Sequence, residues 1–289
     1  MNTTIKNPFL TVTISALGAE LQSLYDNEGS NYLWNGNANY WNERSPILFP
    51  IVGKLLGNKY VFEGKTYSMM QHGFARAMTF KIVDQGESHI SYVLSSDELT
   101  LSMYPFRFLL HVNYVLTGPS LSVMYHVTNQ DDKTMYFNIG AHPGFVCRFH
   151  ETNDFEAYSI IFEHLEDASV LSENNDQLLM RKSCSFKGEA MTLNTDTFSQ
   201  GPLIFSHLNS KYVYLQATHY DKKIRLDFED FPYLGIWSMP NTKAPFISIQ
   251  PLYGHSDFED SSYNLWEKEN MITLDPMQTF SCVHSISIL

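Results

Sequence analysis

The segment Phe106-Arg107-Phe108-Leu109-Leu110-His111-Val112-Asn113-Tyr114-Val115-Leu116-Thr117-Gly118-Pro119-Ser120-Leu121-Ser122-Val123-Met124-Tyr125-His126-Val127 carries the plainest structural signal in the chain. Phe106, Phe108, Leu110, Val112, Tyr114 and Leu116 alternate with Arg107, Leu109, His111, Asn113 and Val115, and Leu121, Val123, Tyr125 and Val127 alternate with Ser122, Met124 and His126. A period of two puts one face of a strand on a core and the other toward water. Thr117-Gly118-Pro119-Ser120 between the two runs is a turn, so the pair predicts a hairpin. Similar punctuation recurs at Leu56-Gly57-Asn58-Lys59, Glu63-Gly64-Lys65, Gln85-Gly86-Glu87 and Asn129-Gln130-Asp131-Asp132, between short Tyr-, Val-, Ile- or Phe-rich runs. Turns this closely spaced predict an all-β sandwich or barrel. Helical patterning is confined to residues 97–103 and 262–270, a turn or two each, and no β–α alternation supports a parallel sheet.

Composition agrees. The 289 residues include 20 Phe, 17 Tyr and 4 Trp, types that favour pleated, half-buried surfaces. Nineteen Lys and Arg against 31 Asp and Glu give a formal charge of −12, which argues against nucleic acid and anionic membranes as partners. Cys147, Cys184 and Cys282 are far apart and form no C-x-x-C pair, so a disulfide framework and a zinc knuckle are both unsupported, and a reducing compartment fits. With no signal-peptide pattern at the start and no apolar run near 18 residues, a cytoplasmic location is expected. The stretch 150–200 is more polar, with Glu173-Asn174-Asn175-Asp176-Gln177 its most loop-like part, and is expected to be an inserted or capping excursion. Strand-like runs resume at Tyr212 to Ala217 and at residues 224–228, so residues 1–289 are expected to form a single domain.

Local catalytic signatures are scarce. Gly64-Lys65-Thr66 looks like the end of a phosphate-binding loop, but the position five residues earlier is Lys59 where glycine is required. G-x-S-x-G, H-E-x-x-H, EF-hand and G-x-G-x-x-G patterns are all missing, and no metal or cofactor is called for. Three segments remain in which polar groups sit among aromatics beside Gly and Pro breaks. These are Gln71-His72-Gly73-Phe74-Ala75-Arg76, then Asn138-Ile139-Gly140-Ala141-His142-Pro143-Gly144-Phe145, then Tyr233-Leu234-Gly235-Ile236-Trp237 running on to Ile247-Ser248-Ile249-Gln250-Pro251-Leu252-Tyr253-Gly254. Glycine beside His72 and His142 lets the backbone approach a ligand closely, and the neighbouring rings offer faces for a sugar. A lone histidine beside glycine is, taken by itself, more often structural than catalytic.

In order and spacing, His72-Gly73-Phe74-Ala75-Arg76, Gly140-Ala141-His142-Pro143-Gly144-Phe145 and the Pro251-Leu252-Tyr253-Gly254 region resemble the aldose 1-epimerase, or galactose mutarotase-like, family, and within it the bacterial LacX-type group. Ile14-Ser15-Ala16-Leu17-Gly18-Ala19-Glu20-Leu21, Ile47-Leu48-Phe49-Pro50-Ile51-Val52-Gly53 and Phe231-Pro232-Tyr233-Leu234-Gly235-Ile236-Trp237 extend the resemblance over nearly the whole chain. It implies a large antiparallel β-sandwich, the galactose mutarotase-like supersandwich, with a sugar site on one concave face. It also implies a cofactor-free reaction on a small-molecule monosaccharide: an acid and a base open the hemiacetal ring, which then closes on the other face. The histidine matching His142 is the acid at the ring oxygen in that scheme, and the one matching His72 contacts substrate. Gln71, Lys54, Arg76 and Trp237 are candidate substrate contacts. Arg76 either holds sugar hydroxyls or pairs a carboxylate, and Trp237 either stacks on the sugar or fills the core.

The departures from the pattern carry as much weight. The family's base is a glutamate just before this proline, where the chain has Gln250, and a carboxamide cannot take the proton of the C1 hydroxyl. Lys54 stands where many members have arginine, keeping the charge without the bidentate fork. Gln200-Gly201-Pro202 stands where related chains often carry an aspartate. Asp257 and Glu259 are candidate replacement bases, although their acidic run reads as a solvated loop, and His255, which could also reach inward, reads more as exposed. Three functions follow: a hexose mutarotase with an altered base, a catalytically silent sugar-binding or regulatory protein, or a hexose-6-phosphate 1-epimerase, for which the scattered cations are poorly suited. The chain is expected to act as a monomer or homodimer.

Overall fold

The computed structural model describes residues 1–147, 155–194, 196–218, 220–240, 242 and 244–289. The predicted hairpin is formed by Phe108–Thr117 and Ser120–Asn129, in the register Leu116 opposite Leu121 and Tyr114 opposite Val123. Phe108, Leu110, Val112 and Tyr114 are buried, as the alternation requires. Strands also form at Tyr212–Ala217 and Lys223–Asp227. Glu63-Gly64 turns between Lys59–Phe62 and Lys65–Ser68. The only α-helix among the described residues is Glu98–Met103, started by an Asp97 side chain that accepts from the Thr100 N–H at 2.8 Å.

Among the described residues fifteen strands join in one antiparallel sheet. Its path runs from Ile47–Leu48 through Ile139–Ala141, Phe246–Tyr253, Tyr233–Trp237, Leu203–Ser206, Tyr158–Leu171, Tyr212–Ala217, Lys223–Asp227, Thr279–Ile288, Ser120–Asn129, Phe108–Thr117 and His89–Ser95 to Lys81–Gln85. A sheet this long has to curl to bury its apolar face. Phe49, just past the first strand, packs its ring 5.0 Å from that of Phe108, near the far end of the path. The two ends of the ladder therefore share one core, which runs from Ile5 to Ile288, and the molecule is a large antiparallel β-sandwich. A three-stranded sheet, Asn2–Lys6, Leu10–Ser15 and Leu21–Asp26, packs on it, with the Tyr114 hydroxyl donating to the Ala19 carbonyl at 2.6 Å.

The polar stretch after residue 150 differs from the expected excursion, although residues 150–154 and 195 lie outside the described ones. Tyr158–Leu171 and Cys184–Thr192 pair with each other inside the main sheet. The second reads as polar because it is largely exposed, as a strand off the main path with one hydrogen-bonded neighbour can be.

One glycine fixes how two strand ends meet. Gly73 has φ 72°, and a Cβ there would lie 2.2 Å from the Phe49 carbonyl oxygen. Phe49 accepts from the N–H groups of Phe74 and Ala75, so that carbonyl cannot retreat without losing both bonds. Gly73→Ala should lower the urea midpoint by an amount equivalent to at least about 1–3 kcal/mol, from backbone strain together with the clash. An unchanged midpoint would mean that the turn is free to relax.

Candidate active site

The strand Phe246–Tyr253 forms the floor of the site. It is buried on both faces: Ile247 and Ile249 enter the core, while Ser248, Gln250 and Leu252 face the other way. Gln250 lies opposite Gly235 and Ser248 opposite Trp237 on the neighbouring strand. A Cβ on Gly235 would come within 3.2 Å of the Gln250 Oε1, so the missing side chain makes room for the amide. Above this face is a cavity of about 240 Å³ lined by residues that include Trp41, His72, His142, Glu173, Trp237 and Gln250. It is slightly smaller than the roughly 300–1,000 Å³ of sites for drug-sized ligands, a scale suited to one sugar ring. Gln250 is 5% exposed, and among the described residues its amide has no hydrogen-bond partner. Lining the cavity, the amide is open to hydrogen bonds from a ligand.

His142 follows the short strand Ile139–Ala141 and is held by Ser248. The Ser248 hydroxyl lies 2.9 Å from His142 Nδ1 and donates to the Pro143 carbonyl at 3.0 Å. A hydroxyl has one proton, so with that proton on Pro143 it accepts from Nδ1–H, and the neutral ring presents a bare Nε2. Burial pushes the imidazole down to about 3, with the Arg76 charge acting in the same direction. Trp41 and Trp237 pack against it at 4.8 and 5.7 Å between ring centroids.

His72 is set the opposite way. Its φ of 65° is unusual for a side chain with Cβ, and the Gly53 backbone holds it there by accepting from His72 N–H at 2.8 Å and donating to His72 Nδ1 at 3.0 Å. With Nδ1 used as an acceptor, the neutral ring carries its proton on Nε2. Burial lowers its proton affinity, helped by the neighbouring His142 and by Arg76. The two rings meet edge to face at 5.7 Å. Two imidazoles thus converge on one cavity, one tautomer offering a lone pair and the other an N–H.

The remaining sequence candidates divide. Gln71, Arg76 and Trp237 line the cavity. Arg76 pairs with Glu43 at 3.0 Å and donates to the Gln71 carbonyl at 3.0 Å, and Glu43 lines the cavity too. Burial raises the Glu43 carboxyl against the opposing pull of Arg76. Trp237 belongs with Trp41 to an aromatic wall backed by Trp34 and Phe246. Lys54 is not among the lining residues, and its ammonium donates to the Asp176 carbonyl at 2.8 Å.

Past Gln250 the chain is more buried than its acidity suggested. His255 is 2% and Asp257 5% exposed, whereas Glu259 is exposed as expected. His255 lines the cavity, but its ring is occupied by the Ser256 carbonyl on Nδ1 at 2.8 Å and the Asn270 amide on Nε2 at 2.9 Å. Asp257 is held by buried Lys268 at 2.9 Å and by the Leu56 N–H at 2.8 Å, which leaves it a structural anchor.

Sequence reasoning missed Glu173, placed in what read as a polar loop. The loop is locked against the segment after Gln250: Leu179 N–H donates to the Asp257 carbonyl at 2.8 Å and Glu259 N–H to the Leu179 carbonyl at 3.1 Å. Glu173 is 9% exposed, and its Oε1 accepts from the Ser256 hydroxyl at 2.8 Å. Burial raises its carboxyl to about 7, against the lowering effects of Ser256 and Lys54. The only sequence clue was a carboxylate within a turn, a feature common to many solvated loops. Among the described residues no group of three His, Cys, Asp or Glu is placed to hold a metal ion.

An antiparallel sandwich whose two remote histidines meet over a small cavity on this strand defines the galactose mutarotase-like class of protein. The chain belongs to the aldose 1-epimerase family, whose model, described as Aldose 1-epimerase, matches residues 1–281. The plasmid and chromosomal LacX proteins of Lactococcus lactis subsp. lactis are each 32% identical to it over 299 aligned positions, covering 100% of both chains. Among solved structures, a galactose mutarotase related enzyme from Lactobacillus acidophilus is 30% identical with a TM-score of 0.94, covering 100% of this chain and 97% of its own. A galactose mutarotase-like protein from Lactobacillus casei is 32% identical with a TM-score of 0.93, covering 100% of each.

Buried neutral histidines link stability to acid. His142 and His284 are held down to about 3 and His255 to about 4, all chiefly by burial, so below about 6.5 the unfolded chain binds protons that the folded one does not. The contribution of these rings to the unfolding free energy from urea titrations should be full above pH about 6.5 and fall toward pH 4, by up to about 1.4 kcal/mol per unit for each. The raised Glu173 carboxyl should offset about one ring over part of that window. His142→Gln should flatten that slope, and a slope unchanged by the substitution would contradict the assignment of His142 as a buried neutral ring.

Proposed function

We propose that the protein is an aldose 1-epimerase that binds one free hexose in this cavity and interconverts its α and β anomers. The observation that carries this reading is the pair of imidazoles, His72 and His142, that meet at 5.7 Å over a single aromatic-walled cavity, with neither Nε2 hydrogen-bonded among the described residues. Anomerisation needs one group to take the C1 hydroxyl proton while another supplies a proton to the ring oxygen, and no redox step or cofactor is involved. Trp41 and Trp237 offer apolar faces to a pyranose ring, and the free Gln250 amide and Gln71 offer hydrogen bonds to its hydroxyls. The unpaired thiols of Cys147, Cys184 and Cys282 support a reducing, cytoplasmic setting.

Gln250 favours a second reading, a sugar-binding protein without turnover, because it removes the proton acceptor expected at that position. A phosphorylated hexose is disfavoured: among the described lining residues Arg76 is the one Lys or Arg, and it is already paired with Glu43.

Polarimetry of freshly dissolved α-galactose and α-glucose, with calorimetric titration of the same sugars, separates the readings. Accelerated loss of optical rotation is expected, whereas binding heat without acceleration would leave the silent binder. His142→Asn should lower kcat by about 10²–10⁴-fold, the usual worth of a positioned proton-transfer group. Trp237→Ala should act mainly on KM, raising it by about 3–10-fold for a lost stacking face. A kcat unmoved by His142→Asn would remove that ring from the chemistry.

A further inference from the structure

We propose that Glu173 replaces the carboxylate missing at position 250, with the proton roles reversed: the Glu173 carboxylic acid protonates the ring oxygen and His142 Nε2 receives the C1 hydroxyl proton. The inference rests on the mutarotase reading above and assigns the proton-transfer groups within it.

Geometry supports each half. Ser248 fixes His142 and Ser256 fixes Glu173, so the two groups are tied to the chain on either side of Gln250 and line the same cavity. The Ser248 hydroxyl reaches both the Pro143 carbonyl and His142 Nδ1; with its proton on Pro143 it accepts from Nδ1–H, the tautomer in which His142 Nε2 is the acceptor. The Ser256 hydroxyl accepts from Lys54 N–H at 3.0 Å and so points its own proton at Glu173 Oε1. Among the described residues no cation lies within ion-pair distance of Glu173, and its Oε2 has no hydrogen-bond partner. A buried carboxyl with one neutral donor is most stable protonated.

Several ionisable groups surround this carboxyl. Lys54 lies beneath the turn, Asp176 is within it and His255 is beside Ser256, while His72, His142 and the Arg76–Glu43 pair lie elsewhere on the cavity wall. Of these, Lys54 is the one whose charge acts on Glu173, and it only partly offsets burial. Environments that push a carboxyl up and an imidazole down separate an acid from a base.

The balance is simple. As Glu173 O–H protonates the ring oxygen, the C1–O5 bond breaks, C1 becomes a carbonyl and the C1 hydroxyl proton passes to His142. The products are a carboxylate, an imidazolium and the open-chain aldose. After rotation about C1–C2 the same transfers run backward on the other face, and both groups return to their starting states.

Polarimetric kinetics on the full chain, unmodified and as Glu173→Gln, test this. The isosteric amide should lower kcat by at least about 10²-fold with KM changed by less than about threefold. Unmodified protein should lose kcat/KM as pH rises through about 7, where the acid ionises, and the residual activity of the variant should lack that limb. Should the variant fold poorly, the pH profile of the unmodified protein tests the same assignment. Activity rising through pH 7, or a variant within a few-fold of the parent, would overturn the role of Glu173 while leaving the mutarotase reading intact. Anomers that equilibrate no faster with the unmodified protein than without it would overturn both.

Discussion

Loss of water from the ionisable groups around one small cavity is the constraint on which the rest of this structure depends. An imidazole surrounded by Trp41, Trp237 and the buried Phe246–Tyr253 strand has little solvent to stabilise a positive charge, so His142 stays neutral. The same burial makes a negative charge costly on Glu173. Desolvation therefore drives the imidazole and the carboxyl toward the same charge state, uncharged.

Holding such groups in place needs support from segments far apart in the chain. His72 sits in the left-handed region because the Gly53 backbone bonds it twice, and Gly53 itself leaves no room for Cβ, which would lie 2.3 Å from the Ser256 nitrogen. That contact brings together the turns bearing His72 and Ser256. The buried Lys268–Asp257 pair, with Lys268 also donating to the His255 carbonyl at 2.6 Å, anchors the next stretch of chain. Removing one partner of such a pair strands an uncompensated charge, so its contribution is to fix geometry more than to add net stability.

Gln250 gains a different meaning in this setting. A carboxylate there would place a negative charge on the cavity floor between the attachments of His142 and Glu173, favouring protonation of the imidazole and disfavouring ionisation of Glu173. The neutral amide leaves the two environments separated and still offers a donor and an acceptor to a ligand. The change at one position thus bears on proton affinities across the whole cavity.

The sequence by itself determined the all-β class, the hairpin, which the structure places at residues 108–129, and the absence of a carboxylate at 250, and its resemblance to the family led to the expectation that His72 and His142 meet. Side-chain alternation and motif order are local or collinear properties, and they survive translation into one dimension. Only the tertiary structure decided that Cys184–Thr192 is an exposed strand of the main sheet, that Arg76 is engaged by Glu43, that His255 and Asp257 are buried and that the Lys54 ammonium is held by the Asp176 carbonyl. It alone brought Glu173 to the site. A carboxylate in a polar turn is indistinguishable from a solvated one until the segment packed on it is known, because its proton affinity is set by neighbours such as Ser256 and Lys54 that lie far away in the chain.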